Sequence, residues 1–151
     1  MQPFTLQSRP VVRVWGGDRL QRMGLCPPCD QPIGEVWAVF GELLAADGPY
    51  RGQSLDELCS QLGSRLLGSW SRTSDQGFPL LTKWLDCRDW LSLQVHPDDA
   101  VAQRIHGNPN ERGKSEAWLF FEVEPQAEVI HGWCEGRPDP EQLAQLQGED
   151  W

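Results

Sequence analysis

Three polar side chains in the middle of the chain have the types and spacing of metal ligands. Gln94 and His96 lie two residues apart, and alternate side chains of a strand leave the same face. Glu116 lies in a second run with the composition of a strand. If these strands pair with Glu116 facing inward, an amide, an imidazole and a carboxylate converge, which suits a zinc-type divalent cation. The spacing alone also fits a structural or solvent-facing histidine, so both interpretations stay open.

Short strands and turns must position these side chains. The 15 glycines and 12 prolines exceed the average and favour a mainly β protein over a helix bundle. The alternation in 33–40 places Glu35 and Trp37 on one face of a strand. Strands are predicted at 11–17, 33–40, in two parts of 80–95, at 114–123 and at 128–133. Short helices are predicted after three capping residues, Ser54, Asp98 and Asp139.

Composition restricts the class of protein. A chain of 151 residues corresponds to one domain, and its net charge of -9 argues against binding to nucleic acid or an anionic membrane. No apolar run is long enough to cross a bilayer and the N-terminus has no signal core, so we expect a cytoplasmic protein. The five cysteines are irregularly spaced, which indicates reduced thiols. Cys26 and Cys29 are interpreted as loop cysteines, with incidental metal binding or oxidation as the alternative.

Three motifs, in this order, resemble the type I phosphomannose isomerase (mannose-6-phosphate isomerase) family. They occupy residues 79–83, 91–99 and 113–118, and shorter matches lie at 14–17, 33–37, 52–55 and 127–132. The resemblance covers nearly the whole chain. It implies a mainly β fold, namely an incomplete cupin-type jelly roll with short peripheral helices, in a single, truncated domain that spans residues 1–151.

The resemblance also implies a metal and a reaction. It assigns one Zn²⁺ per chain to Gln94, His96 and Glu116, and it implies interconversion of mannose 6-phosphate and fructose 6-phosphate. Moving a carbonyl between C1 and C2 needs a base and stabilisation of a negatively charged ene-diol, which a divalent cation supplies.

Four further residues match pocket positions of the family. The resemblance assigns Lys83 as the catalytic base near the reacting carbons and Lys114 to the substrate anion. Trp15 and Glu35 match positions that line the substrate pocket. A role as a surface cation remains the alternative for either lysine.

The chain departs from the family pattern in length. The family continues about as far again, with a fourth zinc ligand, a histidine, and a substrate-binding arginine that find no match here; His106 and His131 are weak replacements. We therefore expect self-association or pairing with a complementary half-chain around the sugar phosphate site. The competing hypothesis is a non-catalytic metal-binding cupin module, and a weaker third is an iron-dependent cupin oxygenase.

Overall fold

The computed structural model describes residues 2–69 and 77–132, and the chain divides into two compact units, Met1–Gln94 and Val95–Trp151. The first unit holds a three-stranded antiparallel sheet in the order β1-β2-β3. Its strands are β1 (Arg9–Gly17), β2 (Ile33–Val39) and β3 (Thr82–Leu85). The mainly β character and the strands predicted at 11–17 and 33–40 are confirmed, as is the first strand within 80–95.

Two glycines allow β1 and β2 to approach closely. A Cβ atom on Gly16 would overlap the backbone of Gly34, and one on Gly34 would come within 2.6 Å of Arg13 Cβ and of the Trp15 ring. The register between the strands shifts between Val11 and Val12 and again before Gly17. Such bulges bend a strand and redirect its side chains, and glycine is the residue that fits where backbones meet.

The apolar side of the sheet packs against a short helix, α1 (Arg19–Arg22), which contributes Leu20. The core around it consists of Leu20, Cys26, Ile33 and Val36, with Leu25 and Trp84 packed against them. Burial raises the pKa of the Cys26 thiol, and the neighbouring Cys29 raises it further. Cys26 is therefore a protonated thiol of the core, and the absence of a function for Cys26 and Cys29 stays a prediction.

Helices surround the rest of the first unit. A 3-10 turn at Gly48–Tyr50 precedes α2 (Leu55–Leu62), and α3 (Ser64–Leu67) follows it. The predicted capping box of α2 is present: the Ser54 hydroxyl accepts a hydrogen bond from Glu57 N at 3.2 Å, and Glu57 Oε2 accepts one from Ser54 N at 2.7 Å. α2 buries Leu58 and Cys59 completely, so the amphipathic pattern in the sequence was a correct guide.

The second unit contains one described helix, α4 (Asp99–His106). As predicted, Asp98 caps it: its Oδ1 accepts a hydrogen bond from Val101 N at 2.8 Å. Throughout 2–69 and 77–132, no helix has the length and apolar character needed to cross a membrane.

Some predicted strands do not form. Within the described residues, the segments 91–95, 114–123 and 128–132 are not strands. Leu91 and Leu93 are half-buried while Ser92 and Gln94 are exposed. The burial therefore alternates as in a strand, although the segment has no strand pairing. A strand needs a neighbour to pair its backbone, and the pattern in a segment does not supply one. The predicted helix after Asp139 and the last residue of 128–133 lie outside the described residues.

Candidate functional site

The sheet of the first unit places Glu35 among basic side chains. In the strand register, Glu35 lies opposite Val11 of β1 and Leu85 of β3. Its carboxylate accepts hydrogen bonds from Arg13 Nε at 3.0 Å and from Trp37 Nε1 at 2.6 Å. Lys83 Nζ, from β3, lies 3.7 Å from Glu35 Oε2. We call Glu35, Arg13, Trp37 and Lys83 the Glu35 cluster.

The Glu35 cluster holds a buried negative charge. Glu35 is only 4% exposed. Burial raises the pKa of its carboxyl, but the hydrogen bonds from Trp37 and Arg13, together with the charges of Lys83 and Arg13, outweigh burial and leave the pKa below its ordinary value. The fold thus brings two predicted site residues together: the ionised carboxylate of Glu35 and the ammonium of Lys83.

Trp15 lies beside this cluster but faces a different cleft. Its ring packs against Gly34, the neighbour of Glu35 in β2, and its carbonyl oxygen accepts a hydrogen bond from Arg88 N at 2.9 Å. A cleft of about 540 Å³ borders it, and the described residues that line this cleft include Gln21 and Asp89 but not Glu35 or Lys83. Trp15 is therefore near Glu35 along the sheet without sharing a cleft with it.

Glu116 occupies the second cluster, in the second unit. Its Oε2 atom lies 2.7 Å from Lys114 Nζ and 4.0 Å from His96 Nε2. Its Oε1 atom accepts a hydrogen bond from Trp118 Nε1 at 2.5 Å. We call Glu116, Lys114, His96 and Trp118 the Glu116 cluster. Three predicted site residues, His96, Lys114 and Glu116, meet here.

Loop contacts, and not a strand ladder, bring the two halves of the Glu116 cluster together. Gly113 N donates a hydrogen bond to Asp99 Oδ1 at 2.8 Å, and Lys114 N donates one to Pro97 O at 3.1 Å. A Cβ atom on Gly113 would lie 2.5 Å from Pro97 O, so only glycine permits this approach. His96, Lys114 and the segments next to them line a cleft of about 560 Å³.

The Glu116 carboxylate is ionised and the imidazole beside it has an unused nitrogen. The hydrogen bond from Lys114 lowers the pKa of Glu116, burial raises it, and Trp118 and the neighbouring charges lower it again, so the net pKa is below the ordinary value. His96 Nε2 is buried and has no hydrogen-bond partner among the described residues. A buried nitrogen without a partner is costly, so His96 Nε2 is a candidate to bind a metal ion or a hydrogen-bond donor.

These two side chains are of types that bind a zinc ion. Nitrogen and oxygen ligands lie about 2.0–2.2 Å from a tetrahedral Zn²⁺, so two of them are about 3.4 Å apart. The 4.0 Å between His96 Nε2 and Glu116 Oε2 is a few tenths of an ångström longer, which a small side-chain rotation would close. Within the described residues, no group of three His, Cys, Asp or Glu side chains is arranged to hold a metal. A third protein ligand from this part of the chain would be of another type, such as an amide.

Gln94, the third predicted ligand, is the last residue of the first unit. Its exposed side chain donates a hydrogen bond from Nε2 to Ser92 Oγ at 3.3 Å. This bond uses the nitrogen end of the amide, whereas a metal takes the oxygen end.

Sequence reasoning missed Arg13. It placed Trp118 on one side of the predicted strand with Lys114 and Glu116 but gave it no role. Arg13 lies 22 residues before Glu35, and no local pattern pairs them. The sequence contains Glu-x-Trp three times, at 35–37, 116–118 and 149–151, and the last of these lies outside the described residues. The alternation that places Glu35 and Trp37 on one face applies equally to Glu116 and Trp118.

A family model agrees with the motifs that carry this geometry. The model described as "Phosphomannose isomerase type I, catalytic domain" matches residues 4–117. The chain belongs to the type I phosphomannose isomerase family.

Individual relatives are consistent with this assignment. Mannose-6-phosphate isomerase of Streptococcus mutans is 39% identical over 99% of this chain and 46% of its own length. Mannose-6-phosphate isomerase ManA of Bacillus subtilis is 40% identical over 82% of this chain and 39% of its own. The crystal structure of mannose 6-phosphate isomerase from Bacillus subtilis superposes with a TM-score of 0.62 at 31% identity, over 71% of this chain and 34% of that one. The chain thus spans about half, or less, of the length of these relatives.

Proposed function

We propose that this chain binds one Zn²⁺ through Gln94, His96 and Glu116 and interconverts mannose 6-phosphate and fructose 6-phosphate. The single observation that carries the proposal is the buried, unpartnered His96 Nε2 at 4.0 Å from an ionised carboxylate, in a chain of this family. When bound, the cation supplies Lewis-acid stabilisation of the negative charge that develops on the sugar oxygens. The cupin-type jelly roll is part of the same proposal. It rests on the resemblance to the family and on a fold shared with the 31% identical solved isomerase.

Lys83 is the base in this proposal. It takes a proton from C2 of mannose 6-phosphate, which gives an ene-diol, and it returns the proton to C1 while the hydroxyl proton on O2 passes to O1. The carbonyl thereby moves from C1 to C2 with no net change in protons. Lys83 pairs with the Glu35 carboxylate at 3.7 Å in the resting protein, so it has to lose a proton before it acts as the base. Glu35 then stabilises the ammonium that forms again when Lys83 takes the proton from C2.

The remaining residues bind the substrate or support its pocket. Lys114, with a half-exposed side chain at the cleft of the Glu116 cluster, attracts the substrate anion. Trp15 keeps the pocket-lining role that the resemblance to the family gives it. Glu35 is buried with both oxygens hydrogen-bonded, so it supports the pocket by holding Lys83 and not by contact with the sugar.

A coupled assay for fructose 6-phosphate, run with zinc analysis of the purified protein, tests the proposal. His96→Ala and Glu116→Ala should abolish both turnover and zinc binding. His106→Ala is the matched control, because His106 is an exposed histidine at the end of α4, and it should retain both. If the unaltered chain neither turns over mannose 6-phosphate nor binds zinc, the proposal is wrong.

A second candidate function is a non-catalytic module that acts by assembly with a copy of itself or with a complementary chain. Exposed apolar side chains in the second unit favour it, since Leu119, Phe121 and Val123 are each more than 60% exposed. Bound zinc without turnover, together with a mass in solution above 17.1 kDa, would support this alternative.

A further inference from the structure

The two carboxylate clusters share one device. In each, a tryptophan two residues after the glutamate donates its indole N–H to that carboxylate: Trp37 to Glu35 at 2.6 Å and Trp118 to Glu116 at 2.5 Å. Hydrogen bonds from neutral donors to carboxylates are short and directional when the acceptor is ionised. The recurrence of this contact in two different structural settings indicates that the Glu-x-Trp spacing itself generates it.

In the Glu116 cluster, the indole determines which oxygen faces the histidine. Trp118 occupies Oε1, and the other oxygen, Oε2, is the one near His96 Nε2. Lys114 also contacts Oε2, but a carboxylate oxygen has two lone-pair directions, so one remains for a further ligand. If the Glu116 carboxylate rotated to move Oε2 away from His96, the hydrogen bond between Oε1 and the Trp118 indole would break.

Burial does not force this contact. The Trp118 side chain is 46% exposed and packs only loosely beside Phe120, with ring centroids 6.0 Å apart. A buried indole N–H must find a protein partner, whereas a half-exposed one can be hydrogen-bonded by water at little cost. Because the Trp118 N–H could bind water instead, its hydrogen bond to Glu116 indicates a role beyond satisfying a buried donor.

We propose that Trp118 is a positioning residue for the metal site: its indole N–H holds Glu116 so that Oε2 faces His96 Nε2. This inference rests on the proposed zinc function of His96 and Glu116. Removal of a residue that hydrogen-bonds to a metal ligand and orients it typically weakens metal binding by about 10–100-fold.

The experiment measures zinc affinity by competition with a zinc-binding dye. In one variant, Trp118 is replaced by β-(3-benzothienyl)alanine, which keeps the shape of the ring and replaces N–H by sulfur. In another, Trp118→Phe removes the same donor genetically. We expect both to weaken zinc binding by about tenfold, with thermal stability nearly unchanged because the side chain is half-exposed.

Trp37→Phe is the matched control, because it removes the same donor from the carboxylate that is not a proposed zinc ligand. It should lower the melting temperature and leave zinc affinity unchanged. Zinc affinity unaltered by both Trp118 changes would overturn the positioning role while leaving the zinc site in place. No zinc binding by the unaltered chain would overturn the zinc site and the positioning role together.

Discussion

The Glu35 and Glu116 clusters have nearly the same chemistry in different surroundings. Each joins a glutamate to a tryptophan N–H, a lysine and a second nitrogen base. The Glu35 side chain is 5% exposed in a central strand, and its second base, Arg13, forms a hydrogen bond at 3.0 Å. The Glu116 side chain is 24% exposed outside any strand, and its second base, His96, stays at 4.0 Å.

The difference between the clusters lies in the second nitrogen base, since both oxygens of each carboxylate have a partner. Arg13 is hydrogen-bonded to Glu35, so the Glu35 cluster is closed and contributes to the sheet. His96 leaves a nitrogen without a partner, so the Glu116 cluster is open to a ligand. A buried ion pair is retained for stability or specificity, whereas an incomplete polar cluster indicates binding.

The largest expected effect is on zinc affinity, when glutamate is replaced by glutamine in one cluster and then in the other. Glu116→Gln removes a charged oxygen ligand and should weaken zinc binding by at least about 100-fold, beyond the range seen for outer partners. Glu35→Gln should leave zinc affinity unchanged. Dye competition with both proteins measures the contrast, and equal losses in the two variants would contradict the distinction between a closed and an open cluster.

For the free energy of unfolding, the substitution in the Glu35 cluster should have the larger effect. Glu35→Gln leaves Arg13 and Lys83 without their counter-charge and should lower the free energy of unfolding by about 2 kcal/mol. This is less than the 3–5 kcal/mol typical of a fully buried pair, because both bases retain contact with water. Glu42→Gln is the matched control: Glu42 pairs with Arg9 at 3.0 Å on the surface, and its loss should cost less than about 1 kcal/mol. Urea denaturation gives both values.

The pH dependence tests the same charge. Because the pKa of Glu35 is lower in the folded protein than its ordinary value of 4.5, its stabilisation is fully present above that value. It is lost as the pH falls through the folded-state pKa, since the unfolded chain then binds the proton more readily. The stability difference between the unaltered chain and Glu35→Gln should therefore shrink as the pH falls from about 7 to about 3. A difference that stays constant over this range would exclude the charge as its source.

The smallest expected effect on stability concerns a third carboxylate, that of Glu57, which bonds only within its own helix end. Ser54→Ala breaks the capping box with Glu57 and should lower the free energy of unfolding by about 1 kcal/mol. Ser60→Ala changes an exposed serine within the same helix and should cost nothing, since alanine is the better helix former. Thermal unfolding of the two variants measures the difference, and equal melting temperatures would show that the cap contributes nothing.

Local signals predicted the first unit well. The alternation at 33–40 identified β2 and the shared face of Glu35 and Trp37, and β1 and β3 supply the partners that this strand needs. The spacing after Ser54 identified α2, whose capping contacts lie within the segment itself. The segment 114–123 has the same kind of alternation, yet it is not a strand. Whether a strand forms depends on a partner, and no local pattern encodes one.

The site was predicted for a partly different reason from the one observed. His96 and Glu116 do meet, as the paired-strand hypothesis required, but through the hydrogen bond from Gly113 to Asp99 and the contact of Lys114 with Pro97. Such loop contacts depend on backbone turns that composition does not specify. The zinc ligand set and the role of Lys83 remain predictions.

The crossing of Gly16 and Gly34 limits how this protein can be altered. Ordinary core positions tolerate a larger residue when a neighbour is made smaller, but a Cβ atom on Gly16 would meet the backbone of Ile33 and Gly34, which no substitution makes smaller. A Cβ atom on Gly34 would meet the side chains of Arg13 and Trp15, and making room for it would cost the Arg13 hydrogen bond to Glu35 or the Trp15 ring. Libraries built on this sheet should therefore hold both glycines constant and vary the residues around them.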